Sequence, residues 1–473
     1  MEDIDDNIST SSDDTQESTC MSFFESLDDD ELIDLTTTCY EIIDEYVEQN
    51  ILHMCEPNYY DIINNEIMCY FVELWEDAQI YNSNDDDETG EFIYKVINEY
   101  FEIMKCDYPK RSQLEYTSTS LDLKQLHNQI DYLRSMPQPE QRTREWYSFR
   151  HQLMTASNLW KLFGTDSQYN SLIYEKCGPL RDHSGESSGY VNILSPMHWG
   201  QKYEPLSVML YENKNNTKIE DFGCIQHVNY SFIGASPDGI NVDPKNDRYG
   251  RMLEIKNIVN REINGIPSKA YWIQMQLQME TCDLDECDFL ETRFKEYENE
   301  EQFYQDETHT KGIILHFVER LSIGCSMGDS TDNTGGYMLA QQQSGGPKYI
   351  YMPLGIDLTK ESVEKWIEEQ RLKIRRSWSL YSVDYWRLDQ YSCVFVERNK
   401  KWFQNAVPII AKAWNTILEE RVSGYEHRAA KKRIPKPLAL EVVQGNEDSK
   451  IIKNLNMGTG VCLVKLDNEV FKS

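Results

Sequence analysis

The stretch Gly234-Ala235-Ser236-Pro237-Asp238-Gly239, followed by Leu253-Glu254-Ile255-Lys256, decides how this 473-residue chain is read. Pro-Asp-Gly is a turn sequence, and Leu-Glu-Ile-Lys alternates as a strand does. Asp238 and Glu254 lie sixteen positions apart, so two adjacent strands can bring their carboxylates together. Two carboxylates are what a hard cation such as Mg²⁺ needs. Lys256 falls on the same strand face as Glu254, because strand side chains alternate. A lysine there can orient or activate an attacking water, which suits metal-dependent phosphodiester hydrolysis. The plainer reading is a turn between two strands, with Glu254 and Lys256 on a solvated face. The neighbouring segments therefore decide between the two.

Upstream, His198-Trp199-Gly200-Gln201-Lys202-Tyr203-Glu204-Pro205 leads into a partly apolar helix, and Glu204 is the only acid there before Glu212. A third carboxylate on a helix facing the strand pair would complete a metal site, although most glutamates simply sit on a surface. Downstream, Ala270 to Glu280 carries Gln274, Gln276 and Gln278 among apolar residues. On a helix, Gln274 and Gln278 stack at i, i+4 while Gln276 turns away. Helical spacing of Tyr271, Gln274 and Gln278, and of Met275 and Met279, favours that assignment. Gln274 can then meet the carboxylates; the alternative is an ordinary amphipathic core helix. Still further upstream, Arg150 precedes Met154-Thr155-Ala156-Ser157. Ser157 in the first turn of a helix, together with Arg150, could hold a phosphate. A plain cap and a surface arginine would look the same in isolation.

The order of these motifs is more specific than any one of them. Arg…Thr-Ala-Ser, Gly-x-x-x-Glu-Pro, Gly-Ala-Ser-Pro-Asp-Gly, Leu-Glu-Ile-Lys and Tyr-x-x-Gln-x-Gln occur in that sequence over about residues 140–320. The series resembles the lambda-exonuclease or YqaJ-type viral recombinase family, within the PD-(D/E)xK nuclease superfamily. The whole chain further resembles the exonuclease-like proteins of large nucleocytoplasmic DNA viruses. The resemblance implies an α/β core with a mixed central sheet flanked by helices. It also implies that Glu204, Asp238 and Glu254 bind one or two Mg²⁺ ions (Mn²⁺ could substitute), with the Ile255 carbonyl as a further ligand. Lys256 would assist the attacking water and Gln274 would position the cluster or the scissile phosphate. Arg150, Ser157 and Ser236 would contact the 5′-phosphate of a double-stranded DNA end. The implied activity is exonucleolytic, 5′ to 3′, in viral DNA recombination, repair or replication. A structure-specific endonuclease with the same site, or a non-catalytic recombination scaffold, is the alternative. The resembled exonuclease is a ring-shaped trimer, so a homo-oligomer is open here. By resemblance the setting is the host-cell cytoplasm, with the nucleus an alternative.

Composition agrees with an intracellular protein. The net charge is −33, which looks wrong for a DNA-binding chain, but residues 1–100 hold 29 acids and one base, Lys95. The remaining 373 residues are nearly balanced, with 51 acids and 46 bases. The twelve cysteines are scattered, the closest being Cys282 and Cys287, and no Cys-x-x-Cys occurs. That spacing argues against a disulfide framework, a zinc site or an iron–sulfur cluster, and for a reducing compartment. No nucleotide cofactor is expected. No basic-then-apolar leader opens the chain, and no apolar run approaches the ~18 residues of a membrane helix.

Along the chain, residues 1–20 read as a disordered acidic tail and 21–110 as an acidic helical module. Breaks fall at Glu56-Pro57-Asn58 and residues 82–87. Such a module could bind a protein partner (an annealing protein or polymerase) or mimic DNA; it could equally be a solvated appendage. Residues 111–140 read as a linker and 141–358 as the nuclease core, with strands near 286–294, 312–318 and 349–352 and a loop over 324–346. Residues 359–473 read as a helical C-terminal region with helices over 360–376 and 398–422. Across 360–436 there are 17 basic against 10 acidic residues, interleaved with Trp366, Trp378, Trp386, Trp402 and Trp414. Such a mixture could line a DNA groove, though large aromatics more often pack in a core. Arg428 to Arg433 is a sharper basic cluster.

Overall fold

The computed structural model describes residue 24 and residues 27–77, 86–114, 122–141, 143–180, 192–193, 195–320 and 346–430. The expected tail over 1–20, the loop stretch 324–345 and the basic run from Lys431 onward lie outside the described residues. Contacts divide the chain into one compact unit over residues 1–428, described below, and a second over 429–473.

The acidic front forms three helices, α1 (Asp29–Gln49), α2 (Tyr59–Asp77) and α3 (Asp86–Ile103). Asp28 and Glu31 form a reciprocal capping box that starts α1, satisfying donors that have no partner inside the helix. Cys39, Ile43 and Val47, one face of α1 at spacing four, are buried. Next come α4 (Leu123–Ser135), α5 (Arg144–His151), β1 (Met154–Thr155), α6 (Ala156–Leu159), α7 (Asp166–Cys177) and α8 (Pro196–Asn215). The strands β2 (Ile219–Glu220), β3 (Ile225–Gln226), β4 (Ile233–Ala235), β5 (Gly239–Asn241) and β6 (Met252–Asn257) lead to α9 (Lys269–Cys282). The chain continues through β7 (Glu286–Glu296), α10 (Glu300–Gln305), β8 (Lys311–Glu319), β9 (Lys348–Tyr351), α11 (Lys360–Ile374), β10 (Trp378–Glu397) and α12 (Lys400–Ser423).

The architecture is a mixed α/β fold. A seven-stranded sheet runs in the order β2-β5-β6-β7-β10-β8-β9. Only β6 and β7 are parallel neighbours, joined through α9; the other pairs are antiparallel. A second sheet, β1-β4-β3, has β1 parallel to β4 and β3 antiparallel. Ser236-Pro237-Asp238 is all that separates β4 of the small sheet from β5 of the large one. Gly239 begins β5 where a Cβ would sit 2.2 Å from the Ile219 side chain, so the β2–β5 contact requires glycine.

Two departures from the sequence reading concern the ends of the core. Residues 378–397, assigned above to a helical region, form β10, a 20-residue strand between β7 and β8. Its ladder with β7 shifts register between Leu388 and Gln390, and charged residues interrupt its apolar alternation, so the strand period is broken in sequence. The tryptophans belong mainly to packing: Trp366, Trp386 and Trp402 are buried. The acidic helices are also built into the core. A 3₁₀ turn, Ile51–Cys55, joins α1 to α2, and Trp402 Nε1 donates to its Leu52 carbonyl at 3.4 Å. Arg111, 2% exposed, donates to the carbonyls of Cys55 and Pro267. Burial pushes its pKa down to about 10. Trp272 Nε1 returns a bond to the Arg111 carbonyl at 2.9 Å.

Trp402 stacks edge-on with Trp272, 5.2 Å between rings, and is fully buried. We expect Trp402→Ala to lower unfolding free energy by about 3–5 kcal/mol, read by urea denaturation. A loss under about 1 kcal/mol would mean that the front helices are loosely attached.

Candidate active site

The site is built on β6 just past its pairing with β5. Glu254 lies in the middle of β6 and is wholly buried. A buried carboxylate without partners is prohibitively unfavourable, and this one has three. Lys256 Nζ and Gln274 Nε2 donate to Oε1, the latter at 2.7 Å. Gln278 Nε2 donates to Oε2 at 2.8 Å. Gln274 and Gln278 stand one turn apart on α9, which packs over this face. Gln276 points elsewhere: it donates to the Glu397 carbonyl at 2.8 Å and accepts from Asn399 N at 2.6 Å. Gln278 was not singled out in the sequence, although its i, i+4 relation to Gln274 was the available signal. It also donates to the Ser236 carbonyl at 3.2 Å.

Asp238 arrives on the turn before β5 and accepts from the Ile255 N–H at 2.6 Å. Ile255 thus contributes its N–H in this structure. Burial raises the Asp238 pKa well above the ordinary carboxylate range, Glu254 raises it further and Glu204 adds a smaller push. Lys256 and the Ile255 N–H oppose the shift. Burial also works against the charge on Lys256, but Glu254 and Asp238 outweigh it and hold that amine above the usual lysine value.

Glu204 is exposed on α8, beside Pro205 within the helix. The helix is anchored to the end of β6: Asn257 Nδ2 donates to the Gly200 carbonyl at 3.0 Å, and Ser207 Oγ donates to Asn257 Oδ1 at 2.7 Å. The Glu204 charge is felt at Asp238 and at Tyr351 on β9. Among the described residues, however, no group of three or more His, Cys, Asp or Glu side chains is disposed to hold a metal ion. Asp238 and Glu254 are the carboxylates drawn together. As hard oxygen donors they suit a divalent cation, which would relieve the repulsion that raises Asp238.

The three residues expected at a phosphate lie around the small sheet. β1 pairs with β4 so that Thr155 opposes Gly234, which sets Ser157 and Ser236 each two residues past that pair. Ser157 is exposed, with its hydroxyl 3.4 Å from Thr155 Oγ1. Ser236 Oγ is buried beside the Cys224 thiol. Arg150, in the last turn of α5, lies over the Trp146 ring at 4.5 Å. Arg150 and Ser236 both border the Cys224 thiol, whose pKa burial raises and these neighbours lower.

Residues 145–285, which run from α5 through α9, match the model of a YqaJ-like viral recombinase domain. An uncharacterised protein of Acanthamoeba polyphaga mimivirus is 31% identical over 333 residues, covering 66% of this chain. The chain spans 58% of that relative's length. Among solved structures, an alkaline exonuclease from Laribacter hongkongensis aligns at 16% identity and a TM-score of 0.33, covering 59% of this chain and 94% of its own. Its complex with dAMP aligns with the same identity and score over 60% and 97%. Among the described residues no helix is long and apolar enough to cross a membrane.

A carboxylate with a raised folded pKa stabilises fully below its unfolded value and loses that contribution as pH rises through the folded one. Metal-free Asp238→Asn should therefore melt above wild type near pH 7–8, with the gain shrinking as pH falls towards ~4. Thermal melts in chelator across that range test this. Adding Mg²⁺ should raise the wild-type midpoint and leave the variant unmoved.

Proposed function

We propose that this protein is a divalent-cation-dependent deoxyribonuclease that degrades one strand from a duplex end, 5′ to 3′. The observation that carries the reading is the junction of Asp238, Glu254 and Lys256, closed by the Ile255 N–H and the two glutamines. The YqaJ-like domain over residues 145–285 supports it. Asp238 and Glu254 would hold Mg²⁺, with Glu204 and the Ile255 carbonyl as further donors. The ion would supply charge neutralisation at the scissile phosphate. Lys256, already charged and tethered to Glu254, would orient the attacking water. Gln274 and Gln278 hold Glu254 fixed, so it need not reorganise as charge develops. Arg150, Ser157 and Ser236 would receive a terminal 5′-phosphate; Arg150 and Ser236 already converge on the Cys224 thiol. We assign the activity to viral DNA recombination or repair in a reducing intracellular compartment.

One observation favours a second reading. Glu254 already accepts from three protein donors, and no three-acid group forms among the described residues. A scaffold that holds DNA without cutting it would tolerate that arrangement. The discriminating experiment is nucleotide release from linear duplex DNA carrying a labelled 5′-phosphate, with Mg²⁺ or with chelator. Mg²⁺-dependent loss of 5′ ends is expected. Asp238→Asn and Lys256→Ala should each lower the rate by at least about a thousandfold while keeping DNA binding and fold. Binding without cleavage under every metal condition would establish the scaffold instead.

A further inference from the structure

Behind the candidate phosphate cradle lie two further cations that the reaction does not use. Lys176, on α7, is 8% exposed. Its Nζ donates to the Arg150 carbonyl at 2.9 Å and to the Leu153 carbonyl at 2.8 Å. Arg421, on α12, grips the same turn from outside. Its Nη2 donates to the His151 carbonyl at 2.8 Å and to the Lys176 carbonyl at 2.7 Å, and its Nε also reaches Lys176 O at 3.0 Å. These bonds fix the segment 150–153, which runs from Arg150 into β1 and on to Ser157.

The charge balance is the second observation. Among the described residues Arg150, Lys176 and Arg421 form no ion pair with any carboxylate. The acid beside Lys176, Glu175, pairs with Lys161. Burial pushes the Lys176 amine down to about 8, with Arg150 and Arg421 adding to that shift and Glu175 and Cys224 opposing it. Two cations bearing on a buried third, none of them held in an ion pair, leave a positive potential that an anion would complete.

We propose that Lys176 and Arg421 are positioning residues for the 5′-phosphate: they lock the backbone that carries Arg150 and supply the buried positive potential that a terminal phosphate completes. The inference rests on the reading of Arg150, Ser157 and Ser236 as a phosphate cradle. The brace joins helices 245 residues apart in sequence, so the cradle depends on α12 as well as on the motif region.

The test uses the full chain and a hairpin duplex with one blunt end, bearing either a 5′-phosphate or a 5′-hydroxyl. Binding is measured with Ca²⁺ in place of Mg²⁺, and kcat and KM with Mg²⁺. Lys176→Met should raise Kd and KM for phosphorylated ends by about tenfold or more. Its kcat, and its KM for hydroxyl ends, should stay within about twofold. Lys176→Arg should recover most of the phosphate preference. Arg421→Gln, which keeps a donor but loses the charge, supplies an independent variant should Lys176→Met melt early. Equal losses on both kinds of end, or no loss on either in well-folded variants, would overturn the brace. Wild-type protein that cleaves both ends with equal KM would overturn the cradle reading itself, and the brace with it.

Discussion

The hydrogen bond from the Ile255 N–H to Asp238, 2.6 Å long, is the contact on which the site depends. It ties the turn leaving the small sheet to β6 of the large one. It also forces two carboxylates into a region from which water is largely excluded. That arrangement is unfavourable by itself. It persists because Lys256, Gln274 and Gln278 meet Glu254 from the same side. Gln278 closes the loop by holding the Ser236 carbonyl as well, so Glu254 and the turn leaving the small sheet share one amide. A shift of α9 would therefore disturb both together.

α9 is held from its far side by parts of the chain that carry none of the chemistry. Gln276 pins it to the junction of β10 and α12. Trp272 packs on Trp402 and bonds to Arg111, which in turn fastens the 3₁₀ turn of the acidic front. Lys269 pairs with Glu56 across the same boundary. The acidic helices thus form part of the wall behind the glutamines, and their packing bears directly on how still Glu254 can be kept.

What could be read from sequence divides along physical lines. The strand carrying Glu254 and Lys256, and the helix presenting Gln274, were legible because both elements are short, regular and locally encoded. The division of labour between Gln274 and Gln276 followed from helical spacing alone. β10 was not legible: its register shift and interleaved charges break the period of two, and its partners β7 and β8 lie far away in sequence. The integration of the acidic front was hidden because Arg111 and Trp402 act at separations of 156 and 350 residues. Lys176 left no pattern at all, since its bonds are to carbonyls, which every residue carries. The three acids sit in the expected order, yet Glu204 stays exposed on α8, a matter of helix placement that no motif encodes.

The capping box of Asp28 and Glu31 and the buried face of α1 have a consequence beyond helix stability. They immobilise negative charge. Acids on a loose tail can swing aside when a polyanion approaches, whereas acids on a helix bundle locked to the core keep their direction. The field they cast is therefore anisotropic and permanent. Any polyanion approaching the bundle would meet that fixed field rather than one that can swing away.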